Sequence, residues 1–270
     1  MPLPLISSKK NRNNFGHRII QRLSILPFTL LLFLSYQTSA QNAQATIEVP
    51  EWSLPGSPTH KQVPPPKDFH RPDRTEHTAI GIFEGQSDVG SALVPGASSY
   101  DEGNGAYTIR SAGYNIWYTR DEFRYLWKKM SGDVALAADI NFPDTAGYFD
   151  RKAVLIIRQT LDDDSKEAMV ALHGGGLVHL AWRNAPGESI DQQRVDKKGA
   201  VRLGIEKRGD AFSIYVSQEG EVLHQFGEPV QLHFESPFYV GIGFTSHLPA
   251  TADTTILSNV VLENEAGKVK

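Results

Sequence analysis

From residue 79 onward the chain alternates between short apolar runs and clusters of Gly, Asp, Asn and Ser. The runs fall at 80–83, 106–110, 114–118, 123–128, 134–142, 153–158, 168–173, 177–183, 201–207, 212–217, 222–226, 238–245 and 255–262. They are rich in Val, Ile, Phe, Tyr and Trp and spaced roughly ten residues apart, the texture of an antiparallel sandwich. Gly174, Gly175 and Gly176 between two runs predict one hairpin, and Arg208, Gly209 and Asp210 predict another. No stretch keeps a helical period and none repeats, which excludes a propeller within this chain. The predicted fold is all-β: a two-sheet antiparallel sandwich of jelly-roll type.

Side chains along a strand alternate faces. In 153–158, Arg158 closes the face of Val154 and Ile156; in 168–173, Met169, Ala171 and His173 share a face. In 177–183 the set is His179, Ala181 and Arg183, and in 241–247 it is Gly241, Gly243, Thr245 and His247. The alternate positions are apolar and suit a core. The sets named combine small residues with terminal Arg or His, a pattern that predicts a polar groove on one sheet. Arg158, His173, Arg183 and His247 are expected to converge there, the small residues leaving room for a ligand and the imidazoles making binding change between about pH 5 and 8. The bland alternative is a solvated face, or Arg and His satisfied by internal hydrogen bonds. Trp117, on the face of Asn115, and Asp121 are added as candidate ligand contacts, since sugars stack on aromatic rings and hydrogen-bond to polar neighbours.

The segment before residue 79 differs. Lys9, Lys10, Arg12, Arg18 and Arg22 precede an uncharged apolar run that ends near Tyr36, followed by Thr38, Ser39 and Ala40. This is the layout of a secretory signal peptide over 1–40; at about 14 residues the run is short for a membrane span. Cleavage would leave no stable span and an exported product, periplasmic or extracellular. Residues 41–78, with Pro64, Pro65 and Pro66 and four further prolines, predict an extended linker that could be trimmed at little cost. The sandwich is assigned to 79–264 and a tail to 265–270.

Charge narrows the partners. The chain carries 27 Lys and Arg against 31 Asp and Glu, net −4; with the basic start removed, 22 basic and 31 acidic residues remain. That balance argues against nucleic-acid binding. The absence of cysteine excludes disulfides, thiolate metal sites and a cysteine nucleophile. No cofactor is expected. The run Asp162, Asp163, Asp164, Ser165 is a weak calcium candidate, with a solvated turn as the alternative.

The strings FEGQSDVG (83–90), AGYNIW (112–117), DEFRYLWK (121–128), RKAVLIIR (151–158), ALHG (171–174) and GIGFTSH (241–247) resemble the concanavalin A-like lectin/glucanase superfamily. Within it they are similar to an uncharacterised bacterial subgroup linked to TolB-like propeller and "regulation of enolase"-type proteins. The resemblance implies a jelly-roll sandwich over 79–264 and no defined activity. The spaced carboxylates of the superfamily's hydrolases have no match: in 134–142 only Asp139 is acidic. Three function classes stay open. One is a non-catalytic lectin-like module for a carbohydrate or other polyhydroxylated ligand, with no catalytic residue. Another is a hydrolase of a sugar derivative, with His173 as base, Arg158 as stabiliser and Asp121 in support. The third is a structural envelope protein binding a protein partner.

Overall fold

The computed structural model describes residues 48–55, 62–195, 199–219 and 221–269. The signal-peptide reading of 1–40 lies outside them, as do residues 41–47 and 56–61 of the proline-rich stretch. In chain order the strands are β1 (Arg74–Glu76), β2 (Gly85–Val89), β3 (Ala97–Asp101), β4 (Ala106–Ser111), β5 (Ile116–Trp117), β6 (Arg120–Asp121), β7 (Phe123–Met130), β8 (Val134–Asn141) and β9 (Lys152–Arg158). They continue with β10 (Glu167–His173), β11 (Val178–Arg183), β12 (Asp191–Val195), β13 (Ala200–Arg208), β14 (Ala211–Gln218), β15 (His224–Gln231), β16 (Phe238–Thr245) and β17 (Asp253–Glu263). A single 3-10 turn, Glu51–Ser53, precedes them, and among the described residues no helix is long and apolar enough to cross a membrane.

Two antiparallel sheets form the predicted sandwich. One has the order β1-β2-β7-β16-β9-β10-β11-β12, the other β15-β14-β13-β8-β17-β4-β3. Both predicted hairpins are present, β10 with β11 and β13 with β14. Pro229 lacks the N–H that a central strand needs, and β15, which contains it, lies at an edge. The 80–83 run is not a ladder strand. It forms a tight turn closed by a bridge between Ile80 and Phe83. The 114–118 run contributes only β5, which pairs with β6 in a separate two-stranded flap.

The inter-sheet core takes one face of the long central strands, including Leu155 and Ile157 of β9, Val170 and Leu172 of β10, and Ile242 and Phe244 of β16. The outer face of the first sheet holds a second apolar cluster: Phe123, Tyr125, Trp127, Val154, Ile156, Met169, Ala171 and Ala181, with Ile116 of the flap. A layer of chain covers that face. The flap contributes Ile116 and Trp117, and the described proline-rich residues pack against the flap. Trp52 sits edge-on to Phe69 and Tyr114, with ring centroids 4.7 and 5.0 Å away.

Candidate functional site

Arg158, His173 and Arg183 lie on the outer face but at opposite ends of their strands, and His247 lies in the turn after β16. Arg158 closes β9 and Arg183 closes β11, and both are registered against Glu167 at the start of β10. Lys152 opens β9 and is registered against His173 at the end of β10. Six residues separate the two ends, about 20 Å at roughly 3.3 Å per residue. The four side chains therefore do not converge.

At the first end Arg158, Glu167, Arg183 and Asp121 are fully buried together. Arg183 grips Asp121 with two bonds, Nη1 to Oδ2 at 2.9 Å and Nη2 to Oδ1 at 2.8 Å. Arg158 Nη1 donates to Asp121 Oδ2 at 2.8 Å and to Glu167 Oε2. Burial opposes ionisation of Asp121, but Arg183 and Arg158 override it and hold the carboxyl below its usual range. Glu167 goes the other way, raised by burial and by the neighbouring Asp121 charge. Two guanidiniums and two carboxylates close on one another, so Arg158, Arg183 and Asp121 are scaffold rather than ligand contacts. The small residues are also accounted for. A Cβ on Gly241 would meet Leu126 O at 1.8 Å and one on Gly243 the Phe123 ring at 2.7 Å. They admit the protein's own neighbouring strand and aromatic layer, not a ligand.

The other end is an open cleft of about 560 Å³. His173 and His247 line it with Trp117, so three sequence-predicted residues do meet. Around them stand Asn115, Tyr118, Tyr148, Phe149, Asp150, Lys152, His179, Gln192 and Arg194, with Gln62 from the proline-rich stretch. Two aromatic walls are each backed by an imidazole. Trp117 stacks on His179, centroids 5.5 Å apart and planes 6° apart, and Tyr148 stacks on His247 at 5.2 Å and 10°. Phe149 stands beside Tyr148 and is 60% exposed.

The floor is polar. Lys152 Nζ donates to Asn115 Oδ1 at 2.6 Å and to Ile116 O at 3.0 Å, and lies 4.9 Å from the Trp117 ring centre. Asn115 in turn donates to Gln62 Oε1 at 3.0 Å, and Gln62 Nε2 donates to Tyr114 O at 2.9 Å. His179 Nδ1 faces Gln192 Oε1 at 3.1 Å, which leaves Nε2 an acceptor without a hydrogen-bond partner. His173 Nδ1 is 3.3 Å from Asp150 Oδ1. Tyr118 and His247 hold φ of 54° and 66°, a left-handed backbone uncommon for such side chains and concentrated at functional sites.

Burial sets the protonation states. It lowers His173, lowers His179 well below its ordinary value and brings His247 to about 3, with the Lys152 charge adding to each. Burial also lowers Lys152, to about 8. Burial thus pushes all three imidazoles toward the neutral form, and Lys152, lowered to about 8, is the lining cation brought closest to neutrality. This replaces the expectation of histidine-controlled binding.

Lys152, Asp150 and Arg194 were missed in the sequence. Parity alone could have flagged Lys152, two positions before Val154; Asp150 and Phe149 lie in a loop without period. The calcium candidates fail for a local reason. Asp163 meets His70 at 2.7 Å, Asp164 meets Arg120 at 3.3 Å, and the Asp162 carbonyl accepts from Arg158. The protein's own cations occupy the loop, and among the described residues no group of His, Cys, Asp or Glu is arranged to hold a metal ion.

No protein-family model matches the chain, and no curated protein is significantly similar to it. Solved structures of similar layout include a functionally unknown protein from Saccharomyces cerevisiae, at 13% identity and TM-score 0.49, covering 63% of this chain and 93% of that one. A xylan β-1,4-xylosidase from Bacillus halodurans matches at 14% identity and TM-score 0.48, over 77% of this chain and 41% of its own. The carbohydrate-binding module CBM66 from Bacillus subtilis matches at 19% and 0.40, over 63% and 92%. At such distances the use of the cleft has to follow from its own side chains.

Proposed function

We propose that this chain is an exported, lectin-like binding module whose cleft takes a carbohydrate or another polyhydroxylated ligand. The observation that carries the reading is the pairing of aromatic walls, Trp117 on one side and Tyr148 with Phe149 on the other, with a floor of polar groups in an open cleft of about 560 Å³. Small-ligand sites typically measure about 300–1,000 Å³ and combine apolar walls with a few placed polar groups. A sugar's C–H face suits an aromatic ring, and its hydroxyls suit Asn115, Gln192 and the imidazoles. Export rests on the basic start and apolar run of 1–40.

The hydrolase alternative has less support. Glycoside hydrolysis ordinarily needs two carboxylates across the bond. Asp150 is the one carboxylate among the described lining residues, and it is turned toward His173. His173, Arg158 and Asp121 do not share a site.

The test is calorimetric titration of the mature chain against a panel of neutral and acidic oligosaccharides, with product analysis of each hit. The account expects saturable binding without turnover, weakened at least about tenfold by Trp117→Ala or Phe149→Ala, at a melting temperature within a few degrees of the parent's. Release of shorter sugars, or binding indifferent to both substitutions, would overturn it.

A further inference from the structure

The cleft floor contains an ion whose counter-charge is incomplete. Lys152 is 2% exposed, yet no carboxylate is within ion-pair distance of it among the described residues. Its bonds go to neutral oxygens, Asn115 Oδ1 and Ile116 O, and it rests near the Trp117 ring. An ammonium has three donors, so one remains. A desolvated cation is costly unless an anion meets it. The lining around it repeats the imbalance: Lys152 and Arg194 are cationic and Asp150 alone is anionic, in a chain whose net charge is −4. No described carboxylate pairs with Arg194 either.

We infer that the cleft selects acidic sugars, with Lys152 as the anchor for a ligand carboxylate and Arg194 at the rim assisting. The inference rests on the carbohydrate reading and sharpens it to a substrate class. A carboxylate on the third Lys152 donor would form a charge-assisted bond in a water-poor floor, where such bonds are strong. Asn115 positions the ammonium through Oδ1 while Gln62 fixes the amide, so the anchor is held before the ligand arrives. Asp150 would repel an anion, but its carboxylate is drawn toward His173.

The pH response follows from the groups facing Lys152. Asp150 is its own element's neighbour; His173 and His179 face it from β10 and β11, His247 from the turn after β16, and Trp117 and Asn115 from the flap segment. Asp121 and Glu167 act from the far end. Near pH 8 the imidazoles are already neutral and Asp150 already ionised, so among these lining groups Lys152 is the one that changes; Glu167, raised to about 7, titrates at the far end of the sheet. Burial raises Tyr118 and Tyr148 away from this range.

The experiment titrates the full mature chain with a uronic-acid oligosaccharide and with its carboxyl-reduced, neutral counterpart, from about pH 6 to 10. Expected is a preference of at least about tenfold for the acidic sugar at pH 6, fading as pH rises past about 8, with proton uptake on binding near pH 8 and a flat profile for the neutral sugar. Lys152→Met should bring the two affinities within about threefold; should that variant not fold, the wild-type pH profile and proton uptake decide alone. Equal affinities would overturn the Lys152 assignment and leave the carbohydrate reading standing. An acidic preference that persists unchanged to pH 10 would also overturn it, pointing to Arg194. Binding of neither sugar would remove both.

Discussion

Asp121 sits where two guanidiniums and a second carboxylate share a volume closed to water. Removing one member of such a cluster leaves the others charged and unpartnered, at a cost of about 3–5 kcal/mol. Arg158→Ala is therefore expected to lower the free energy of unfolding by that amount in urea melts; a change below about 1 kcal/mol would show that the cluster is not a support. His173, His179 and His247 behave differently because they enter the fold neutral. The ordinary value for His247 is 6.5 and burial brings it to about 3. Between these the unfolded chain binds a proton that the folded chain refuses, so stability falls as pH drops from 6.5 toward 3. Denaturant melts at stepped pH should show this acid limb, and His247→Gln should make it shallower. An identical limb in the variant would count against a buried neutral imidazole. Alternation along the strands assigned Arg158, His173 and Arg183 to one face, while His247 lies in the turn after β16. The predicted hairpin at Gly174–Gly176 already puts His173 at the turn and Arg183 at the far end; the register of β9 on β10 and the covering flap, which complete the two ends, leave no mark in the local pattern.

At the scale of elements, the proline-rich stretch does more than link. His70 meets Asp163 at 2.7 Å and Arg71 meets the buried Glu122 at 2.8 Å. Gln62 ties Ser53, Tyr114 and Asn115 together beside the cleft, and β1 adds an edge strand to the first sheet. Trimming to residue 79 would strip the buried Glu122 of Arg71 and leave Asp163 with only Arg120, at 3.7 Å; a buried group left unsatisfied costs about 1–3 kcal/mol. The expectation of a nearly free truncation is thus reversed: the trimmed chain should melt well below the parent in calorimetry, and equal melting temperatures would show the contacts to be idle. The hairpins at Gly176 and Gly209 were legible because both glycines take positive φ in tight turns between apolar runs. The flap and β1 were not, being two- and three-residue strands too short to show alternation.

At the scale of the whole molecule, the first sheet is buried on both faces, one by the second sheet and one by its own covering layer. The covering layer leaves the far-end cluster sealed and opens where Lys152 and the three histidines lie. A polar cleft over a rigid sheet suits recognition, since its floor and the Trp117 wall are held by strands. Ligand is expected to enter at that end and no other. Hydrogen–deuterium exchange of the chain, with and without an oligosaccharide that it binds, is the test. Protection is predicted at 112–118, 148–152, 173–179 and 192–194, with 158–167 unchanged. Protection centred on 158–167 and Arg183, or on the second sheet with the cleft segments unaffected, would contradict it.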